Sequence, residues 1–81
     1  MSISPAQCRA ARGLINYDQS TLAEKANVPR KTIIDFETCK RIPSVSDLAA
    51  IHSAFESAGV QFISENGGGA GVRRRPLSYS D

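Results

Sequence analysis

Cysteine and histidine are scarce in this 81-residue chain, which holds only Cys8, Cys39 and His52. The two cysteines stand far apart and in no metal-ligand spacing, and one histidine does not complete a zinc site with them. Both read as free thiols in a reducing compartment, with no metal and no cofactor expected. Long apolar runs are missing as well. None approaches a membrane span, and no basic segment followed by an apolar one stands at the N-terminus, so the expectation is a cytoplasmic protein that touches no membrane. No Ser/His/Asp or Cys/His arrangement stands at plausible positions, and the chain is too short for a sizeable pocket, so catalysis is not expected. There is no internal repeat. The length allows one small domain with a thin core.

Net charge is low too, only +2, but its distribution is uneven. From Met1 to Pro43 seven basic residues (Arg9, Arg12, Lys25, Arg30, Lys31, Lys40, Arg41) meet four acids (Asp18, Glu24, Asp35, Glu37). From Ser44 to Val72 there are three acids (Asp47, Glu56, Glu65) and no Lys or Arg. Arg73, Arg74 and Arg75 then stand against Asp81. A basic half steers toward phosphates and an acidic segment is expected to point away from them. Charges fall unevenly in any short chain, so this pattern alone identifies nothing.

What the chain does have is helix punctuation. Ser4 is a good N-cap, Pro5 suits the first helical position, Gln7 completes a capping box, and Ile3 and Cys8 stand where a hydrophobic staple packs. The first helix is expected over Pro5–Ile15 with Cys8, Ala11 and Ile15 inward, stopped by Asn16 in a left-handed conformation. Asp18 caps a second helix, with Leu22, Ala23 and Ala26 inward and Asn27 at its end. Val28 and Pro29 make a turn. A third helix follows over about Arg30–Thr38, with Ile33 and Phe36 at an i, i+3 spacing. Lys40 to Pro43 is a basic loop. Ser44 or Ser46 caps a fourth helix with Leu48, Ile51 and Phe55 inward, and Gly59 ends it. Beyond Gly59 the period changes to that of a strand around Val60 and Phe62. A glycine-rich stretch, Glu65–Gly71, leads to a second short strand over Val72–Arg74, and a hairpin across the glycines is the natural reading. A phosphate-cradling loop would need a helix after the glycines, where Pro76 and a Ser-rich tail stand instead. The expected organisation is residues 1–59 as the helical domain, 60–75 as a strand or hairpin extension, and 76–81 as a flexible tail.

Two short helices joined by a tight turn, the first rich in small residues and the second opening on basic ones, describe a helix-turn-helix. Ala23 allows the two helices to cross closely, Val28 fills the corner and Ile33 anchors the second to the core. Other compact helical proteins contain such pairs. The whole run DQSTLAEKANVPRKTIIDFETCKRIPS is more specific: it resembles the phage-repressor-like helix-turn-helix family, also called the XRE or Cro/C1 family. The matching features are Asp18, Gln19, Leu22-Ala23, Asn27-Val28, Thr32-Ile33, Phe36-Glu37 and Lys40 to Pro43. With Arg12, the resemblance spans about Ile3 to Phe55. GVQFISENGGGAGVRRR is similar to the ending of a compact bacterial subfamily in which a glycine-bounded strand segment replaces a fifth helix.

The resemblance implies a mainly α fold, a four-helix repressor-like domain with a short C-terminal strand or β-hairpin. It also implies sequence-specific binding of double-stranded DNA by a small transcriptional regulator, nucleoid-associated when bound, with the third helix in the major groove. Arg30, Lys31 and Asp35 would read bases: Arg and Lys donate to guanine O6 and N7, and Asp accepts from cytosine N4. Asp35 is also open to the plainer role of orienting Arg30 or Lys31. Gln19, Thr32, Thr38, Lys40 and Arg41 would contact phosphates. Arg12 and Glu37 would form a structural ion pair between the first and third helices. Tyr17, Phe36, Phe55 and Phe62 read as core, and His52 as a surface or edge residue.

Three positions depart from the family's habit of glycine at helix ends: Asn16, Asn27 and Cys39. A left-handed Cys39 costs about 1 kcal/mol. Pro29 stands where a Ser or Thr usually caps the third helix, so that helix is expected to start without a side-chain cap. The expected partner is a palindromic operator read by a homodimer, with the segment after Gly59 pairing across a two-fold axis or folding as a hairpin that helps form the dimer. The competing reading is a protein-interaction module on the same fold, an anti-activator or antitoxin that masks a partner.

Overall fold

Ser4 turns the chain into its first helix. Its hydroxyl accepts from the Gln7 backbone N–H at 3.0 Å while the Gln7 side chain accepts from the Ser4 N–H at 2.9 Å, with Pro5 at the first helical position. The same logic of local caps sets the other helices. In this computed structural model, which describes residues 3–64 and 69–75, the order is α1 (Pro5–Ile15), α2 (Gln19–Ala26), α3 (Arg30–Glu37), α4 (Val45–Ser57), β1 (Val60–Ile63) and β2 (Gly71–Arg74).

Asn16 and Asn27 end α1 and α2 at φ 58° and 57°, a region in which asparagine is the best tolerated residue after glycine. Asp18 Oδ1 accepts from the Thr21 N–H at 2.7 Å and starts α2. Pro29 precedes α3 and offers no side-chain cap. Thr38 follows Glu37 as the C-cap, so α3 stops one residue before the expected end, and Cys39 adopts the left-handed conformation at φ 63°. Ser44 caps α4, its hydroxyl accepting from the Asp47 N–H at 3.1 Å. Gly59, at φ 93°, releases the chain from α4 into β1.

The core collects one stripe from each helix: Cys8 and Ala11 from α1, Leu22, Ala23 and Ala26 from α2, Ile33 and Phe36 from α3, Ile51 and Phe55 from α4. Ile3, Val28 and Val60 close it. Phe55, fully buried, contributes about 1.5–3 kcal/mol by leaving water.

β1 and β2 pair antiparallel, Val60 opposite Arg74 and Phe62 opposite Val72. The second strand begins at Gly71, one residue earlier than the periodicity indicates. Val60, Phe62 and Val72 share a face, and that face is held by the helices. Phe62 meets Phe55 edge-on at 5.7 Å and stacks on His52 at 5.1 Å. Gln7 Nε2 donates to the carbonyls of Ile63 at 3.3 Å and Gly71 at 3.0 Å, tying the ribbon to α1. On the outer face Arg73 Nε donates to Gln61 Oε1 at 2.8 Å. The hairpin is therefore integral to the helical unit and supplies its Val60 and Phe62. Residues 65–68 of the glycine stretch and the tail over 76–81 lie outside the described residues.

Candidate nucleic-acid interface

The turn between α2 and α3 is tight because its residues are small or apolar. Ala23 is buried where the helices cross, the Val28 N–H donates to the Ala23 carbonyl at 3.0 Å, and the Val28 side chain is buried in the corner. Ile33 and Phe36 hold one face of α3 in the core, which leaves Lys31 exposed on the opposite side, and Arg30 is exposed as the first residue of the helix.

The candidate residues fall into two groups. The first lies along a surface cleft: Lys31, Thr32, Asp35 and Arg41 line it together with Ile42 and Asp47. Lys31 Nζ donates to Asp35 Oδ2 at 2.9 Å. That bond, with the charges of Lys31, Lys40 and Arg41 around it, holds the Asp35 carboxyl below the usual carboxylate range against the opposing effect of burial. The backbone N–H groups of Lys40 and Arg41 both donate to the Asp35 carbonyl, at 2.8 and 3.2 Å, so the basic loop folds back onto the helix that precedes it. Arg30 stands outside this group, toward the start of α2. Its charge is felt at Asp18, whose carboxyl is lowered first by the Thr21 hydrogen bond and in smaller part by Arg12 and Arg30.

The second group surrounds Glu37, which is buried. Arg12 grips it bidentately, Nε to Oε2 at 2.7 Å and Nη2 to Oε1 at 2.7 Å, and Arg12 Nη1 also donates to the Tyr17 carbonyl at 3.1 Å. Cys8 Sγ donates to Oε2 at 3.1 Å and Gln19 Nε2 to Oε1 at 3.1 Å. Arg9 Nη1 donates to the Glu37 backbone carbonyl. One carboxylate thus ties α1, α2 and α3 together. Burial pushes its pKa up, but the bonds from Arg12, Cys8 and Gln19 and the Arg12 charge outweigh burial and leave it below the ordinary value. The bond to Glu37 raises Arg12. Burial, then Glu37, pushes the Cys8 thiol up, which keeps its proton available for the hydrogen bond.

Two expected phosphate contacts have partners within the protein. Gln19 is half-buried with its amide on Glu37, and the Thr38 hydroxyl donates to the Ile34 carbonyl at 2.8 Å. Lys40 and Arg41 are exposed. Sequence reasoning missed Cys8 as a member of the Glu37 cluster. The signal was present, since Cys8 and Arg12 are four apart and share a face of α1. It also missed the tie from Gln7 to the hairpin, which carries no local signal. His52 is largely covered, between Phe62 and Glu56 Oε1 at 3.4 Å from Nδ1, and faces neither group.

Among the described residues no three His, Cys, Asp or Glu side chains gather to share a metal ion, and both cysteines are free, Cys8 buried and Cys39 exposed. No helix among them is long and apolar enough to cross a membrane. In comparisons with known proteins, a helix-turn-helix family model matches residues 9–58, more than half of the chain. No curated protein matches it.

Proposed function

Because the chain belongs to the XRE, Cro/C1-type helix-turn-helix family of DNA-binding regulators, we propose that it binds duplex DNA sequence-specifically, with α3 in the major groove. The observation that carries this reading is the split character of α3. Its inner face is core, and its first turn presents Arg30 and Lys31 to solvent, with Lys31 bonded to the acceptor Asp35. These three read base edges. Lys40 and Arg41, exposed on the loop after α3, hold phosphates together with Thr32, which lines the cleft beside Arg41, and Thr38 joins them only when its hydroxyl hydrogen leaves the Ile34 carbonyl. Gln19, at the N-terminus of α2, adds one amide hydrogen beyond the one used by Glu37, and a helix N-terminus favours an anion there.

The partner is a palindromic operator and the reader is a homodimer, because two recognition helices about 34 Å apart match successive major grooves on one face of DNA. The inner face of the hairpin is occupied by its own α1 and α4, so a second copy meets its strand edges or outer face. Its work would then be in the cytoplasm, at the nucleoid. Selection of bound sequences from a random duplex library by the full chain tests the reading. An enriched palindromic consensus supports it, and a pool without enrichment overturns it.

A second reading, a module that masks a protein partner, has one observation in its favour. Ile42 is 83% exposed and lines a groove with Ile3, Phe36 and Leu48, and Val45 is 89% exposed. Apolar side chains that open mark contact surfaces more often than DNA backbones. The same selection separates the two, since a masking module enriches nothing.

A further inference from the structure

The Lys31–Asp35 pair is a weak helix stabiliser. Lysine precedes the acid by four residues, the less favourable order, which sets the cation at the positive end of the helix dipole. The Lys31 side chain is 79% exposed, and a pair with one arm in solvent contributes little.

Its geometry has another use. Nζ and Oδ2 stand 2.9 Å apart, a donor fixed beside an acceptor. Asp35 Oδ1 takes no hydrogen bond from the described residues. Asp35 is mostly buried, its side chain 12% exposed, but it lines the cleft, and none of the buried side-chain oxygens or nitrogens among the described residues lacks a partner, so Oδ1 keeps some access to the cleft. An isolated aspartate facing DNA is repelled by phosphates. This one is compensated by Lys31 and by the nearby charges of Lys40 and Arg41.

A base pair presents the complementary pattern at the same spacing. In the major groove guanine offers O6 and N7 as adjacent acceptors and cytosine offers an N4 donor. Within the pair N4 donates to O6, so the two atoms are one hydrogen bond apart, about 2.9–3.0 Å. We infer that Lys31 and Asp35 read one base pair as a single unit, and that this pair is G·C. The lysine serves O6 and N7 of guanine while the aspartate accepts from N4 of cytosine. An A·T pair also sets a donor beside an acceptor, but adenine N6 separates its two acceptors, so the ammonium serves only one of them. G·C therefore gives the unit three hydrogen bonds and A·T two. This inference rests on the base-reading role proposed for α3.

The test is selection from a random duplex library with the full chain, as wild type, Lys31→Ala, Asp35→Ala and the double variant, each checked for folding by circular dichroism. The wild type is expected to enrich G·C at one position of each half-site. Each single variant is expected to lose about tenfold discrimination at that same position, and the double variant no more there than either single one. Single variants that relax two different positions overturn the unit, and A·T at the shared position overturns the G·C assignment. A second measurement needs no variant: 7-deazaguanine at that position removes N7 and is expected to weaken wild-type binding several-fold, and unchanged affinity is a refutation. Enrichment of no sequence at all by the wild type overturns the DNA-reading proposal itself, and this inference with it.

Discussion

Removing Arg12 is expected to cost more than removing Glu37, although both break the same ion pair. The asymmetry follows from exposure. The Arg12 side chain is 20% exposed and keeps the Tyr17 carbonyl, so Glu37→Ala leaves a cation that water and a backbone acceptor still serve. The Glu37 side chain is 3% exposed, and Arg12→Ala leaves it with only the Cys8 thiol and the Gln19 amide. Stranding a buried charge costs roughly 3–5 kcal/mol, whereas unpartnered groups with some access to solvent cost about 1–3 kcal/mol. At about 4–8 °C per kcal/mol for a domain of this size, a loss of 3 kcal/mol lowers Tm by roughly 12–24 °C. The pH dependence separates the cause. In the wild type the folded Glu37 carboxyl lies below its unfolded value of about 4.3, so its contribution is present above that pH and lost as pH falls through the folded value. In Arg12→Ala the buried carboxyl has lost its cation and rises above the unfolded value, so acid relieves the penalty by protonating it. The gap between wild type and variant is therefore expected to narrow between about pH 7 and pH 4. Thermal melts followed by circular dichroism at both pH values check this. A gap that stays constant, or Glu37→Ala as the more damaging change at neutral pH, refutes the reasoning.

Further expectations concern the proposed interface and assembly. Arg30→Ala is expected to weaken specific binding by about 1–3 kcal/mol and relax one base position, read by mobility-shift titration at fixed salt, with the Tm unchanged. Lys40→Ala is expected to weaken binding to all duplexes alike and reduce the salt slope by about one; an altered consensus contradicts a phosphate role. The full chain is expected to sediment as a dimer at micromolar concentration, and a monomer there excludes assembly before DNA. A chain ended at Gly59 is expected to be monomeric and less stable, because it lacks buried Val60; equal dimerisation by that form removes the hairpin from the interface.

Most of the fold was legible because its signals are local. Ser4, Asp18 and Ser44 act within three residues of themselves, and Asn16, Asn27, Cys39 and Gly59 need only their own φ angles to end helices. The inner stripes of the helices followed from periodicity alone. The hairpin was half legible: alternation around Val60 and Phe62 marked a strand, but its dock on Gln7 joins residues 56 and 64 apart in the chain. No pattern of adjacent residues encodes that distance.

The candidate site divides along the same line. The exposure of Lys31 follows from the phase of Ile33 and Phe36 on one helix, whereas Arg30, three residues before Ile33, is exposed as the first residue of α3. The partners of Gln19 and Thr38 depend on which acceptor comes within reach first. For Thr38 that acceptor is one turn back, the habitual competitor for a helical hydroxyl. For Gln19 it is a carboxylate 18 residues away, oriented by an arginine from a third element. The consequence is mechanical. An amide at the N-terminus of α2 and a carboxylate at the C-terminus of α3 share a bond, so the two helices of the motif are fixed to each other through Glu37 and jointly to α1 through Arg12. A change at Arg12 therefore acts on the recognition helix at its last residue, Glu37, and through that carboxylate reaches the proposed phosphate contact at Gln19 without touching it.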